Sequence, residues 1–311
     1  MIRFLHQLIQ SYSGVRNLKR LGYPLNTKLL IVHADDMGLS HSTNLACINA
    51  LEMGLVTSGS IMMPCPFAEE MTDYAKLHPD LDIGIHLTLT SEWVGHQWQP
   101  VFGDGVPSTA NSEGFLFGTR EELETKAQLS DIEQELRSQI EKAITNGVHP
   151  THLDCHQFAG IMNPEFLKIC IQLGREYGLP ILLNREKIKK WFRYDVRRFV
   201  SENEILVDQL FIATPRRTKK GLANYYRNVL QTLNVGVNCL LIHPAYDDEE
   251  MKILTAGHSY CNSVWRQADY DFFTSDECRR IIRENNIQLI TWREIKEGIT
   301  PDGRKNSSFK P

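Results

Sequence analysis

Long apolar runs are missing from this 311-residue sequence. Nothing approaches the ~18 uninterrupted apolar residues of a membrane span, so none is expected. A surplus of basic charge is missing too. Lys and Arg number 34 against 38 Asp and Glu, a net charge of −4. No basic-aromatic pattern suited to a phosphate backbone is present, so nucleic acid is not an expected partner. Internal repeats and low-complexity tracts are absent. Ile2, Phe4, Leu5, Leu8 and Ile9 are interrupted by Arg3, His6, Gln7 and Gln10 before an h-region can form, and no signal peptide is expected. A disulfide framework is also missing. Cys47, Cys65, Cys155, Cys170, Cys239, Cys261 and Cys278 are odd in number and widely spaced, several inside apolar runs where free thiols act as small hydrophobes. A reducing cytoplasm is the expected location.

What is present suffices for a large core. Apolar residues make up 42% and charged residues 23%, which is globular composition, and the length fits one α/β barrel. Apolar runs of strand length recur at 29–32, 58–63, 81–85, 152–153, 179–183, 238–242 and 287–291, as in buried parallel strands. Helical patterns lie between them. Ser130-Asp131-Ile132-Glu133 reads as a capping box, followed by Ile132, Leu136, Ile140 and Ile144 and ended by Gly147. Asn163-Pro164 starts another helix, stopped by Gly178. Weaker patterns run over 43–53, 67–77, 222–233 and 274–284. The alternation predicts a single-domain α/β fold, a distorted (β/α) TIM-like barrel of about seven parallel strands, with a doubly wound open sheet as runner-up. Residues 1–27, with Arg3, Arg16, Lys19 and Arg20, read as a basic arm docked on the surface. Residues 28–300 form the domain, and 301–311 a tail expected to be disordered.

Two long stretches, 91–129 and 247–273, break the rhythm. The first carries Trp93, Trp98, Phe102, Phe115 and Phe117. It reads equally as a lid or sugar-stacking wall and as a satellite apolar cluster that pins a loop.

The chemistry-bearing residues gather at strand ends. His33, Asp35 and Asp36, then His86, then His152, Asp154 and His156, then His243 all sit at or just past the C-terminal ends of predicted strands, the face where a barrel builds its active site. Residues two apart on a strand share a face, so one cation could meet two of His152, Asp154 and His156. Adjacent Asp35 and Asp36 need a turn, eased by Gly38, to enter one pocket; alternatively they cap the helix that begins near Ser42. Two imidazoles and a carboxylate leave coordination positions open for water and a substrate oxygen, which suits zinc or manganese better than calcium. Asp35 is the candidate base and His243 the candidate acid. His152 and Asp154 are read as residues that support the ligands, and Trp93 and Arg266 as supporting or substrate-contacting groups. His6, His41, His78, His96, His149 and His258 read as surface or loop histidines.

Ala34-Asp35-Asp36-Met37-Gly38-Leu39-Ser40, Gly54-Leu55-Val56-Thr57-Ser58, Gly84-Ile85-His86-Leu87, Pro150-Thr151-His152-Leu153-Asp154-Cys155-His156, His243-Pro244 and Ile290-Thr291-Trp292-Arg293-Glu294 occur in this order. Together they resemble the YdjC-like family, the chito-oligosaccharide and hopanoid-associated carbohydrate deacetylases, which are similar in logic to the NodB-type polysaccharide deacetylases. The resemblance implies a distorted barrel, a divalent metal ion (Mg2+ or Zn2+) and hydrolysis of an N-acetyl group from an amino sugar or oligosaccharide. It also implies Asp36, His86 and His156 as metal ligands, Asp35 as base and His243 as the acid toward the departing amine. Where the family pattern has a further His, this chain has Phe158, a departure that bears on the substrate pocket and leaves the implied ligands intact. The expected partner is a small carbohydrate, with homo-oligomerisation left open. Two other readings stand beside this one: a barrel that binds glycans through the Trp93–Phe117 stretch without turning them over, and a non-haem iron oxygenase built on His152, Asp154 and His243.

Overall fold

Seven parallel strands alternate with helices in the computed structural model, which describes residues 14–93, 95–201 and 204–299. The strands are β1 (Lys28–Met37), β2 (Ser58–Ile61), β3 (Ile83–Leu87), β4 (Leu153–Cys155), β5 (Gln209–Ile212), β6 (Gly236–Ile242) and β7 (Ile287–Leu289). They run in the order β4-β3-β2-β1-β6-β5, with β7 also on β1. β1 is the axis of the fold. One of its edges pairs with β6 from Lys28 to Ala34. The other is shared, β7 taking Lys28–Leu30 and β2 taking His33 onward. All of β1 except Lys28 is buried, as expected for a strand covered on both faces.

The predicted strand at 179–183 is instead an extended connector. Pro180 has no N–H to give a ladder, so only Ile181 bridges to β4. Leu153 donates its N–H to Pro180 O (2.8 Å), Leu182 to Leu153 O (2.9 Å) and Val207 to Leu183 O (3.0 Å). The connector therefore ties β4 to the chain entering β5, and the sheet curls into a nearly closed, distorted barrel rather than an open sheet. β5 itself was not anticipated, because four residues of alternating burial leave too short a signal.

The helices run close to their predicted spans, at His41–Glu52, Ala68–Leu77, Leu129–Thr145, Pro164–Glu176, Leu222–Gln231 and Asp276–Glu284. The predicted capping box does not form. The helix starts at Leu129 with Gln128 as an N-cap that makes no side-chain cap bond, so Ser130 already lies in the first turn, and Glu133 accepts from Arg137 and Gln172 instead. The stretch 247–273 is not irregular: Asp248 and Asn262 cap helices Glu249–Leu254 and Ser263–Phe273. In the other long stretch Trp93, Trp98 and Leu116 bury against Leu39, Met62, Met251 and Leu254, so the satellite cluster is real and only Phe102 is left exposed among its large aromatics.

Residues 14–21 are helical and seat Leu18 and Leu21 against Leu29, Ile31 and Trp292. Asn17 Nδ2 donates to Leu206 O at 2.9 Å. The expectations that fall on Arg3, His6 and the 301–311 tail lie outside the described residues. All seven cysteines are unpaired and buried. No helix among the described residues is long and apolar enough to cross a membrane.

The strand period of two decides what fills the barrel. Along β1 the same face presents Leu29, Ile31, His33 and Asp35, and along β6 Val237, Cys239 and Leu241 lead up to His243, so the interior grades from an apolar floor to a polar mouth. Halfway up, the His152 ring lies against Trp292 (centroids 5.1 Å apart, 18° between planes) and edge-on to His33 (4.9 Å). That ring occupies the space where a side chain at position 84 would go. Gly84→Ala is expected to cost about 1–3 kcal/mol through this overpacking, measured as a shift in the chemical denaturation midpoint.

Candidate active site

β1 ends in an irregularity that places two adjacent carboxylates in one cavity. Its register against β2 shifts between Ala34 and Met37, and Asp36 adopts φ 67°, a left-handed conformation that is rare and strained for a residue with a side chain. The turn expected at Gly38 is thus made mainly by Asp36 itself. Gly38 follows at φ 91°, where its N–H reaches Asn44 Oδ1.

Asp36 Oδ1 lies 3.5 Å from His86 Nε2 and 3.3 Å from His156 Nδ1. Its other oxygen accepts from Arg266 NH2 at 2.7 Å. The three facing atoms of Asp36, His86 and His156 lie within 4.8 Å of one another. Burial alone would raise the Asp36 pKa, but Arg266, with His156 and His86, holds it well below the ordinary carboxylate value. Each imidazole is fixed from behind. His86 Nδ1 donates to Asp154 Oδ2 (2.7 Å), and His156 Nε2 to Glu92 Oε1 (2.9 Å). A carboxylate behind each ring sets its tautomer and leaves the opposite nitrogen facing Asp36, the arrangement that supports metal-ligating histidines.

Electrostatics fits a cation there. Burial opposes charge on both rings, yet Asp154 and Asp36 lift His86 well above its usual pKa, and Glu92 and Asp36 lift His156 to about 9. Without an ion, protons supply the positive charge that three carboxylates demand; a divalent cation would displace them. Two imidazoles and one carboxylate form a donor set suited to zinc or another first-row ion, with magnesium less favoured by the nitrogens.

Beside this trio stand Asp35 and His243, with Asp35 Oδ2 3.5 Å from His243 Nε2. Burial, reinforced by Asp154 and Asp36 and opposed by His86 and His33, brings Asp35 up to about 7. Burial, with Arg266, His86 and His156, brings His243 down to about 4. The His243 backbone N–H donates to the buried carboxylate of Asp269 at 2.9 Å, which fixes the start of the loop after β6.

The cavity over these groups measures about 270 Å3. Trp93 lines one wall, with the Arg266 guanidinium 5.7 Å from its ring and the His258 ring tilted against it, centroids 4.5 Å apart. Of the aromatics in the first long stretch, Trp93 alone lines this cavity. His152 does not line it. It sits one layer lower, its Nδ1 bonded to Thr151 Oγ1 at 3.0 Å. Among the described residues His243 joins no group of ligand-spaced atoms with His152 and Asp154, so the iron-oxygenase set does not converge.

Sequence reasoning gave no role to four residues placed here. His33 bonds Ser58 and Ser60 at 3.0 and 3.1 Å and lies 3.4 Å from Asp154. Glu92 backs His156. Cys261 lies 4.0 Å from His243 Nδ1, and His258, read as an ordinary loop histidine, lies in a loop that borders the cavity. Only His33 had a signal, as the inward position two before Asp35.

Residues 29–284 match the sequence profile described as YdjC-like protein. The chain belongs to the YdjC-like family. Its curated relatives include the carbohydrate deacetylase of Brevibacillus brevis, 31% identical over 86% of this chain and 99% of that one. The carbohydrate deacetylase of Geobacillus stearothermophilus is 32% identical over 85% and 97%. The chitooligosaccharide deacetylase of Serratia marcescens is 32% identical over 86% and 99%. A solved structure from Enterococcus faecalis V583, of a protein proposed to cleave cellobiose phosphate, shares the fold with a TM-score of 0.72 at 24% identity, covering 86% of this chain and 99% of that one.

Glu92→Gln keeps the size of the group behind His156 and removes its charge. Calorimetric titration with Zn2+ is expected to show ~10–100-fold weaker binding for this variant and, for the native protein, proton release on binding that makes affinity rise with pH.

Proposed function

We propose that this chain is a divalent-metal-dependent hydrolase that removes the acetyl group from an N-acetylated amino sugar or oligosaccharide. The observation that carries the reading is the Asp36–His86–His156 trio, braced by Asp154 and Glu92, with the Asp35–His243 pair alongside it in one cavity. Membership of a family whose curated relatives are carbohydrate deacetylases supports the substrate class.

Asp36, His86 and His156 would hold the ion, zinc or magnesium. When bound, it would polarise the acetamide carbonyl and acidify a water. The protein's own groups handle the protons. Asp35, with its pKa brought up to about 7, is matched to accept a proton from the attacking water near neutral pH. His243 is unprotonated at that pH and 3.5 Å from Asp35, so the proton that it gives the departing amine is one that Asp35 has taken up. The C–N bond breaks as that proton arrives, leaving acetate and a free amine. Arg266 acts through Asp36, holding one carboxylate oxygen so that the other faces both imidazoles. Trp93 offers a flat apolar wall to a sugar ring. Unpaired cysteines throughout suit a reducing compartment.

Acetate release from N-acetylglucosamine oligosaccharides with added Zn2+, Mg2+ or Mn2+ tests the reading. Chelation is expected to abolish release. Asp35→Asn is expected to lower kcat by ~10²–10⁴-fold, and His86→Ala to lose both ion binding and turnover. Unchanged release in both variants would overturn the proposal.

A further inference from the structure

One buried imidazole beside the proposed base has no part in the chemistry set out above. His33 is fully buried and does not line the cavity, and among the described residues it joins no ligand-spaced group with Asp36. An apolar side chain of similar size would fill the same space without the cost of burying two ring nitrogens.

The ring is held from β2. His33 is paired with Ser58 in the β1–β2 register, and Ser60 lies two residues on, on the same face of its strand. Nδ1 lies 3.0 Å from Ser58 Oγ and Nε2 3.1 Å from Ser60 Oγ, both buried hydroxyls. Gly59, between the serines, brings β2 so close to β1 that an added Cβ would meet Met37 Sδ at 2.7 Å and Ala34 O at 3.1 Å.

Nε2 also faces two carboxylates, Asp35 Oδ1 at 3.3 Å and Asp154 Oδ2 at 3.4 Å. Their other partners differ. Asp154 Oδ2 accepts from His86 Nδ1 at 2.7 Å. Asp35 Oδ1 takes a hydrogen bond from no group among the described residues, and His33 is the closest basic group to it. The second oxygen of Asp35 faces His243. Burial opposes charge on the His33 ring, yet Asp154 and Asp35 together lift its pKa above the usual value, which favours the cationic ring that a carboxylate oxygen attracts. The χ2 torsion of an aspartate is broad and roughly two-fold, so a carboxylate needs such an anchor to keep one oxygen in a fixed direction.

We propose that His33 is a positioning residue: clamped by Ser58 and Ser60, it anchors Asp35 through Oδ1 and so keeps Oδ2 turned toward His243 and the attacking water. This role rests on the reading of Asp35 as the base.

The test measures acetate release from N-acetylglucosamine oligosaccharides and calorimetric Zn2+ binding. His33→Leu is expected to lower kcat by about 10–100-fold with KM within about twofold. His33→Gln, which keeps an N–H donor, should lose less. Ser60→Ala leaves His33 in place but loosens its ring, and should lower kcat about 2–10-fold. Zn2+ affinity should stay at the native value in all three. In an Asp35→Asn background His33→Gln should cause no further loss, since the group that it acts through is gone; a purely structural residue would lower the rate by the same factor in both backgrounds. An equal loss in both backgrounds, native kcat in both His33 variants, or an effect on Zn2+ affinity alone would overturn the proposal, the last by assigning His33 to the Asp154–His86 side. The contact itself is read without turnover. In protein labelled with 15N-histidine, Asp35→Asn should move the His33 Nε2 resonance, identified by its disappearance in His33→Gln, and an unmoved resonance would overturn the clamp. A moved resonance in a protein that releases no acetate from any of these sugars would refute the hydrolase reading and leave the His33–Asp35 contact standing.

Discussion

Ionisable groups packed out of water within reach of one another cannot all keep the charge they carry in solution, and the mouth of this barrel is built around that constraint. Asp35, Asp36 and Asp154 are buried with His33 and His86, and Glu92 and His156 close the ring. Isolated, each carboxylate would be expensive to bury in ionised form. Shared out, each finds a donor: Asp36 has Arg266, and Asp154 has His86 with His33 nearby. Asp35 is the exception. Its nearest imidazoles lie 3.3 Å (His33) and 3.5 Å (His243) away, farther than the 2.7 Å contacts of Asp36 and Asp154, and it is the carboxylate of the three whose proton affinity rises to the neutral range. The same crowding that drives two imidazoles toward the cationic form leaves His243, farther from the carboxylates and next to Arg266, neutral.

Much of this was legible from residue order. Inward positions recur every second residue, and a parallel barrel delivers every strand end to one face, so Asp35, Asp36, His86, Asp154, His156 and His243 could be read as neighbours from their places after apolar runs. Other features left weaker traces. Glu92 belongs to a stretch with no period, where a carboxylate looks like any solvated loop residue. The sequence Asp-Asp-Met-Gly signals a turn without saying that Asp36, as well as Gly38, would take a positive φ. The lost capping box shows local propensity overridden, since the helix starts one residue before Ser130 and Glu133 is held by Arg137 and by Gln172 of the neighbouring helix. The helices at 249–254 and 263–273 were readable from their Asp248 and Asn262 caps, but their shortness hid the apolar period.

The aromatic stretch after β3 shows why two functions assigned to one segment need not compete. Trp98 and Leu116 anchor it in a small apolar cluster, and that anchorage holds Trp93 against Arg266 and His258 at the cavity wall. Rigidity supplied by buried neighbours lets a loop residue serve as a positioned surface.

β7 has a further consequence. It fills the lower edge of β1, and the segment beyond it supplies Trp292, which lies beneath His152 and donates its backbone N–H to the Asp82 carboxylate. The floor beneath this imidazole layer is thus laid by a segment about 250 positions along the chain from the strand that it completes. The β1–β2–β3 half is local in sequence, yet its imidazole layer stands over an open base until that distant segment docks. Long-range closure of this kind slows folding and ties the order of the imidazole layer to a single contact between distant parts of the chain.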